Sequence, residues 1–243
     1  MNSISKNFGQ AAYAYDQNAD IQRLCSQNLI KLLPSYLDIE SFVDVGAGTG
    51  FASIELLKIY PNAKCTLIDL SAEMLEIAKS KTCNSNIIKA NAETFDFENN
   101  HFDLAISNLS LQWFSDFENF LKKIMKGCKY FLFSTLTETS FLDYKKIFEN
   151  KNLPSPTFGY HVENFLYNTS NRIGDVLSYT NSNYEKSFQN ALEAAKYFKH
   201  IGANLSSNDL SQSKIAAVLK SHKSPLPLQY KVFSCFMERK KSK

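Results

Sequence analysis

The stretch VDVGAGTG, Val43–Gly50, closes a short apolar run, SFVDV (41–45), with glycines at 46, 48 and 50. The run reads as a buried strand, and glycines directly after it bring backbone close to a ligand or simply turn a strand into a helix. A phosphate-binding P-loop would need a glycine at 51 followed by Lys and Ser/Thr; Phe51 stands there, so that loop is excluded. The dinucleotide fingerprint also needs glycine at 51. The Phe51 ring would block the close approach of helix and strand, which weighs against a nicotinamide or flavin dinucleotide.

Outward from that loop, strands alternate with helices. KCTLIDL (64–70), SNIIKA (85–90), FDLAIS (102–107) and KYFLFSTL (129–136) read as strands. Helical spacing marks 51–60, a segment capped by Ser71, and 116–126 with Gly127 as the stop. Such βαβ alternation predicts an α/β, doubly wound, mostly parallel sheet. Upstream, residues 1–33 are amphipathic and helical through Phe8, Ala12, Tyr15 and Ala19, until Pro34 stops them. Beyond 137 the alternation ends: a polar stretch with Pro154 and Pro156 precedes helices at 191–202 and near 210–221 and a last strand at 228–238.

The bulk numbers fit one core domain with an elaboration: 243 residues, 44% hydrophobic and 21% charged. A net charge of +3 with only Arg23, Arg172 and Arg239 as arginines argues against nucleic acid. The five cysteines are scattered without a C-x-x-C pair, which suits reduced buried thiols rather than disulfides or zinc. No signal-peptide core or membrane span stands out, so a cytoplasmic monomer without a membrane partner is expected.

Downstream residues narrow the ligand. Asp69, ending the second strand, is placed to take both hydroxyls of a ribose, and Asn91, after the third, would sit near a purine. A glycine loop, a ribose acid and a base-edge group without a phosphate cradle describe adenosine carried on something other than phosphate. S-adenosylmethionine (SAM) fits, leaving S-adenosylhomocysteine (SAH) as product, with no metal.

VDVGAGTG, LIDLSAEMLEIAK, ANAETFDF and FDLAISNLSLQW resemble the successive motifs of class I SAM-dependent methyltransferases. NFGQAAYAYDQNADIQR, SNLSLQW, FKHIGAN and PLPLQYKVFSCFMERK further resemble the BioC family, malonyl-acyl-carrier-protein O-methyltransferases of biotin synthesis. The resemblance implies a seven-stranded Rossmann-like sheet divided as an N-terminal helical cap (1–35), a SAM-binding core (36–136), an inserted lid (137–190) and a C-terminal completion of the sheet (191–243). It implies Gly46, Ala47, Gly48 and Gly50 around the methionine and ribose, Asp69 on the ribose, Leu70 beside the adenine, Asn91 and Ala92 at the adenine edge and Asn108 near the methionyl group. Asp44 would order the loop or the cofactor ammonium. Asn91 departs from the aspartate frequent in such enzymes, yet its oxygen can still accept from the adenine amino group.

A malonyl carboxylate has a pKa of roughly 4 or below and is already ionised, so no general base is required. Substrate groups would instead hold the non-reacting oxygen. Tyr15 and Arg23 are candidates against readings as packing and surface charge. Gln112 is favoured over Trp113, which reads first as a core anchor; His200 is a further candidate against an exposed role. Lys122, Lys123, Lys126, Lys145, Lys146, Lys196 and Lys199 could dock an acidic acyl carrier protein or be solvated helix faces; malonyl-CoA is the alternative thioester. Competing functions are methylation of another small acid, a quinone precursor or tRNA, a methyltransferase-like assembly protein, and a dehydrogenase.

Overall fold

The computed structural model describes residues 2–155, 159–203 and 210–241. Pro156 and Asn204 of the stretches above lie outside them. Helices α1 (Asn2–Asn18) and α2 (Asp20–Ile30) precede β1 (Ser41–Val45), α3 (Phe51–Ile59), β2 (Lys64–Asp69), α4 (Ala72–Lys81), β3 (Asn86–Lys89) and β4 (Phe102–Asn108). A 3-10 turn (Leu111–Trp113), α5 (Phe117–Gly127) and β5 (Cys128–Leu136) follow. The chain then forms α6 (Leu142–Glu149), α7 (Glu163–Ile173), β6 (Gly174–Phe188), α8 (Ala191–His200), α9 (Gln212–Ser221) and β7 (Leu226–Arg239).

The strands make one seven-stranded sheet in the order β3-β2-β1-β4-β5-β7-β6. The first five pair in parallel, and β7 runs antiparallel to both β5 and β6. Period-2 alternation loads both faces. Phe42, Leu104, Ile106, Tyr130 and Leu132 pack on one side with α2 and α3, whereas Val43, Val45, Ala105, Phe131 and Phe133 pack on the other with α5. A third cluster joins α6, α8 and α9 to the β5–β7 end and takes in Ile21 and Cys25 of α2. Helix α4 starts as its cap residue predicts, with Ser71 Oγ accepting the Met74 N–H at 3.2 Å.

The stretch 137–190 is the one expected as an inserted lid. It supplies α6, α7 and the edge strand β6, and none of its described residues lines the principal cleft. β6 escaped the strand pattern because GDVLSYTNSNYEKSF is largely polar; as an edge strand it covers little core, and its exposed Asn and Glu side chains suit an unpaired border. Four cysteines are buried and Cys83 is exposed, all as free thiols. Among the described residues no helix is long and apolar enough to cross a membrane, and no cluster of His, Cys, Asp and Glu could hold a metal.

Candidate active site

A cleft opens at the carboxyl ends of β1, β2 and β4. That edge, where the strand order reverses between β1 and β4, is where open α/β sheets bind ligands. Its floor is backbone. Gly46 and Gly48 adopt φ of 66° and 53°, and the Gly46 and Ala47 N–H groups both reach the Ile68 carbonyl, at 2.8 and 3.1 Å. A Cβ on Gly46 would fall 1.9 Å from Ser110 Oγ, so only glycine lets the β4 turn close against the loop. A Cβ on Gly48 would meet nothing within 4 Å: the loop faces open space there, as a cradle for a ligand requires.

Asp69 ends β2 beside that space. Its Oδ2 accepts the Gly48 N–H and its Oδ1 the Ser71 N–H, both at 2.9 Å. These bonds aim the carboxylate along the cleft, while burial raises its pKa above the ordinary carboxylate value. Leu70, Ala92 and Met74 give an apolar slot beside it. The donor set fits an adenosyl group: a carboxylate for vicinal hydroxyls, flanked by aliphatic walls. Asn91 also lines the cleft, and its Oδ1 accepts the Glu93 N–H at 3.0 Å.

Asp44 Oδ2 accepts from Ser53 Oγ (2.6 Å) and Ser53 N–H (3.2 Å), tying β1 to α3. Its burial pushes the pKa up to about 7, against the lowering effect of those two bonds. At the β4 end, Asn108 spans two elements: Nδ2 donates to the Gln22 carbonyl at 2.9 Å and Oδ1 accepts from Ser134 Oγ at 2.8 Å. The next residue, Leu109, is left-handed (φ 49°) and turns the chain to present Ser110 and Trp113 to the cleft.

The roof is α1 with the start of α2. Ile4, Ser5, Phe8, Tyr15 and Gln22 line it, Ser5 Oγ donates to the Leu70 carbonyl at 3.0 Å, and Phe8 meets Trp113 edge-on at 5.6 Å. Asp16 fastens it: Thr49 Oγ1 of the glycine loop donates to its Oδ1 at 2.6 Å, and Lys81 of α4 bonds its Oδ2.

Nine of the ten expected cofactor residues line the cleft: Asp44, Gly46, Ala47, Gly48, Asp69, Leu70, Asn91, Ala92 and Asn108. Gly50 does not. It caps α3 at φ 85°, and its own Cβ would lie 3.2 Å from Ala78. Of the substrate candidates, Tyr15 and Trp113 line the cleft, and burial raises the Tyr15 pKa. The other three do not. Arg23 is exposed, with Nη2 on the Asp16 carbonyl at 2.8 Å and its guanidinium 4.9 Å from the Phe51 ring centre. Gln112 is held by the Leu109 carbonyl (2.6 Å) and Thr135 (3.3 Å), and His200 is exposed at the end of α8. The preference for Gln112 over Trp113 is therefore reversed. Phe8, Gln22, Thr49 and Ser110 were missed; only Thr49, inside the glycine loop, carried a local signal.

Residues 42–130 match the model of a methyltransferase domain family. Over 226 residues the chain is 30% identical to the malonyl-[acyl-carrier protein] O-methyltransferase of Neorickettsia risticii, covering 89% of this chain and 88% of that protein. The chain belongs to the malonyl-[acyl-carrier protein] O-methyltransferase family. Its Buchnera aphidicola relative of that name is 31% identical over 220 residues, 86% and 84% of the two chains. In fold it is similar to a SAM-dependent methyltransferase from Thermotoga maritima (TM-score 0.59, 15% identity, 98% and 100% covered). It is likewise similar to the N-methyltransferase NodS of Bradyrhizobium japonicum, solved with SAH (TM-score 0.56, 9% identity, 90% and 87% covered).

Proposed function

We propose that this chain methylates the free carboxylate of a malonyl thioester on an acyl carrier protein, with SAM as methyl donor, in the route to biotin. The carrying observation is a roofed cleft whose floor joins open glycine backbone to the Asp69 carboxylate, in a chain of this family. Bound SAM supplies an electrophilic methyl on sulfur. A carboxylate oxygen forms the new O–C bond as the C–S bond breaks and its electron pair stays on sulfur.

The chain's own work is binding and alignment. Asp69 takes the ribose hydroxyls, Leu70, Ala92 and Asn91 bound the adenine, and Gly46–Gly48 admit the methionyl arm. The malonyl carboxylate is already ionised near neutral pH, so the reaction asks for no general base. Phe8 and Tyr15 of the roof, with Phe51 and Trp113 beneath them, line the cleft with aromatic surface and exclude water from that anion. Aligning two bound reactants can supply up to roughly 7–11 kcal/mol.

For the carrier, the lysines fall in two groups. Lys122 and Lys126 on α5 pair with Glu118 and Glu98, and Lys123 bonds the Glu93 carbonyl. On α6, Lys145 bonds the Glu138 carbonyl and Lys146 pairs with Asp143. Lys196 and Lys199, exposed beside a groove on α8, are the stronger docking candidates.

The test is incubation with methyl-labelled SAM and malonyl-carrier, acetyl-carrier or malonyl-CoA. Base-labile label on the malonyl carrier alone is expected. Label on neither malonyl thioester overturns the reading, and preference for malonyl-CoA overturns the carrier.

A further inference from the structure

Helices α8 and α9 supply no described residue to the cleft. They pack on each other, and a groove runs between them. Leu192, Ala195, Lys196 and Lys199 line its α8 wall at three- and four-residue steps, so they share one helix face. Ile215 and Leu219, one turn apart, line the α9 wall. An apolar trough between two helices is a seat for a third, which lays its own apolar ridge into it.

Charge selects that third helix. Residues 191–223 hold Lys196, Lys199, Lys214, Lys220 and Lys223 against Glu193 and Asp209; five cations less two acids leaves +3, the net charge of the whole chain. All five lysines are exposed. Among the described residues none of their ammonium groups has an ion pair or a hydrogen bond, whereas the lysines of α5 and α6 are engaged by Glu118, Glu98, Asp143 and main-chain carbonyls. Uncompensated cations on one face attract and orient an acidic partner. A second copy of this chain would bring the same cationic face and be repelled.

We propose that the α8–α9 groove docks an acidic helix of the carrier protein that bears the malonyl thioester, with Lys196 and Lys199 as charged rim and Leu192 and Ile215 as apolar seat. This rests on the reading of the chain as a malonyl-carrier methyltransferase. Position supports the assignment. Lys196 and Lys199 stand six and three residues before Gly202, and a Cβ on Gly202 would fall 2.8 Å from the Phe8 Cα. Phe8 lines the cleft, so a partner seated along α8 borders the roof under which its tethered thioester must pass.

The test measures binding of acyl carrier protein to the full chain. It also measures methyl transfer to the malonyl carrier and to malonyl-pantetheine, which has the same arm without the protein. Lys196→Glu combined with Lys199→Glu should weaken carrier binding about 10- to 100-fold and raise the KM for malonyl carrier in step. Malonyl-pantetheine, which never touches the groove, should be methylated at the wild-type rate. Ile215→Ser should cost carrier binding about 3- to 10-fold through lost apolar contact. Lys126→Glu on α5 is the control and should leave carrier binding as it is. Unchanged carrier binding in the double variant overturns the proposal, as does an equal loss in Lys126→Glu, which marks a diffuse charge effect. Slowed malonyl-pantetheine turnover overturns it by placing the lesion in the cleft, and equal capture of phosphatidylglycerol vesicles overturns it in favour of a lipid surface. Carrier binding that depends on these lysines, without methyl transfer by wild type, sustains the groove and sinks the proposed reaction; methyl transfer with lysine-independent binding does the reverse.

Discussion

The floor and the roof of the cleft are built from different materials. The floor is backbone: N–H groups on the Ile68 carbonyl, glycines at positive φ, and one carboxylate clamped by two main-chain donors. The roof is side chains on two helices, fastened by Ser5, Asp16 and aromatic contacts. Backbone fixed by a parallel sheet has little freedom to adapt, whereas a helix laid across it through a few polar bonds can dock and undock at modest cost. The contrast implies that floor substitutions should abolish ligand binding and that roof substitutions should change its rates.

The harshest break is Gly46→Ala. The methyl must displace Ser110 and hold φ near 66°, so SAH affinity should fall more than about 100-fold and stability by about 2 kcal/mol or more. Calorimetry and chemical unfolding read both, and near-normal binding would remove the floor's claim to rigidity. Asp69→Ala comes next. Two lost hydrogen bonds from a charged acceptor should weaken SAH about 100-fold, with the fold intact; unchanged affinity would undo the ribose assignment.

On the roof, Asp16→Asn removes the charge that Lys81 pairs with and weakens the tie to Thr49. Half-buried pairs of this kind are worth roughly 1 kcal/mol, so SAH should leave about 3- to 10-fold faster while the melting point hardly moves. Stopped-flow release rates check this, and a large drop in melting point would show instead that α1 is part of the core.

The gentlest test is pH. Asp44 has its pKa pushed up to about 7 by burial, so the folded chain binds a proton that the unfolded chain has released. Stability from the protonated form is therefore present below the ordinary carboxylate range and lost as pH rises through 7. Cofactor binding runs the other way if the methionyl ammonium lies nearby. SAH affinity should rise through pH 6–8, by at most about tenfold per unit, and Asp44→Asn should flatten it. A flat wild-type profile would leave Asp44 only its structural tie to Ser53.

Legibility followed the same division. The floor could be read from the chain because each of its parts is a local rule: a strand that ends in glycines, a carboxylate at the next strand end, Ser71 as a cap. Ten residues were expected there and nine line the cleft; Gly50 failed because packing against Ala78 and lining a cavity both select glycine. The roof could not be read so. Tyr15, Arg23 and Gln22 all lie on the amphipathic N-terminal stretch, and only docking decides which of them turns inward. β6 was hidden for a related reason, since an edge strand that buries little needs no apolar alternation.

By itself the sequence determined the alternating sheet, the turn after β1 and the acid at the end of β2, because backbone conformation and strand burial are set by neighbours a few residues apart. Tertiary structure alone decided that α1 and the start of α2 line the cleft, and that Tyr15 and Gln22 face it while Arg23 and His200 do not. Those outcomes depend on contacts between residues far apart in the chain, such as Asp16 with Lys81 and Asn108 with the Gln22 carbonyl, which no local pattern encodes.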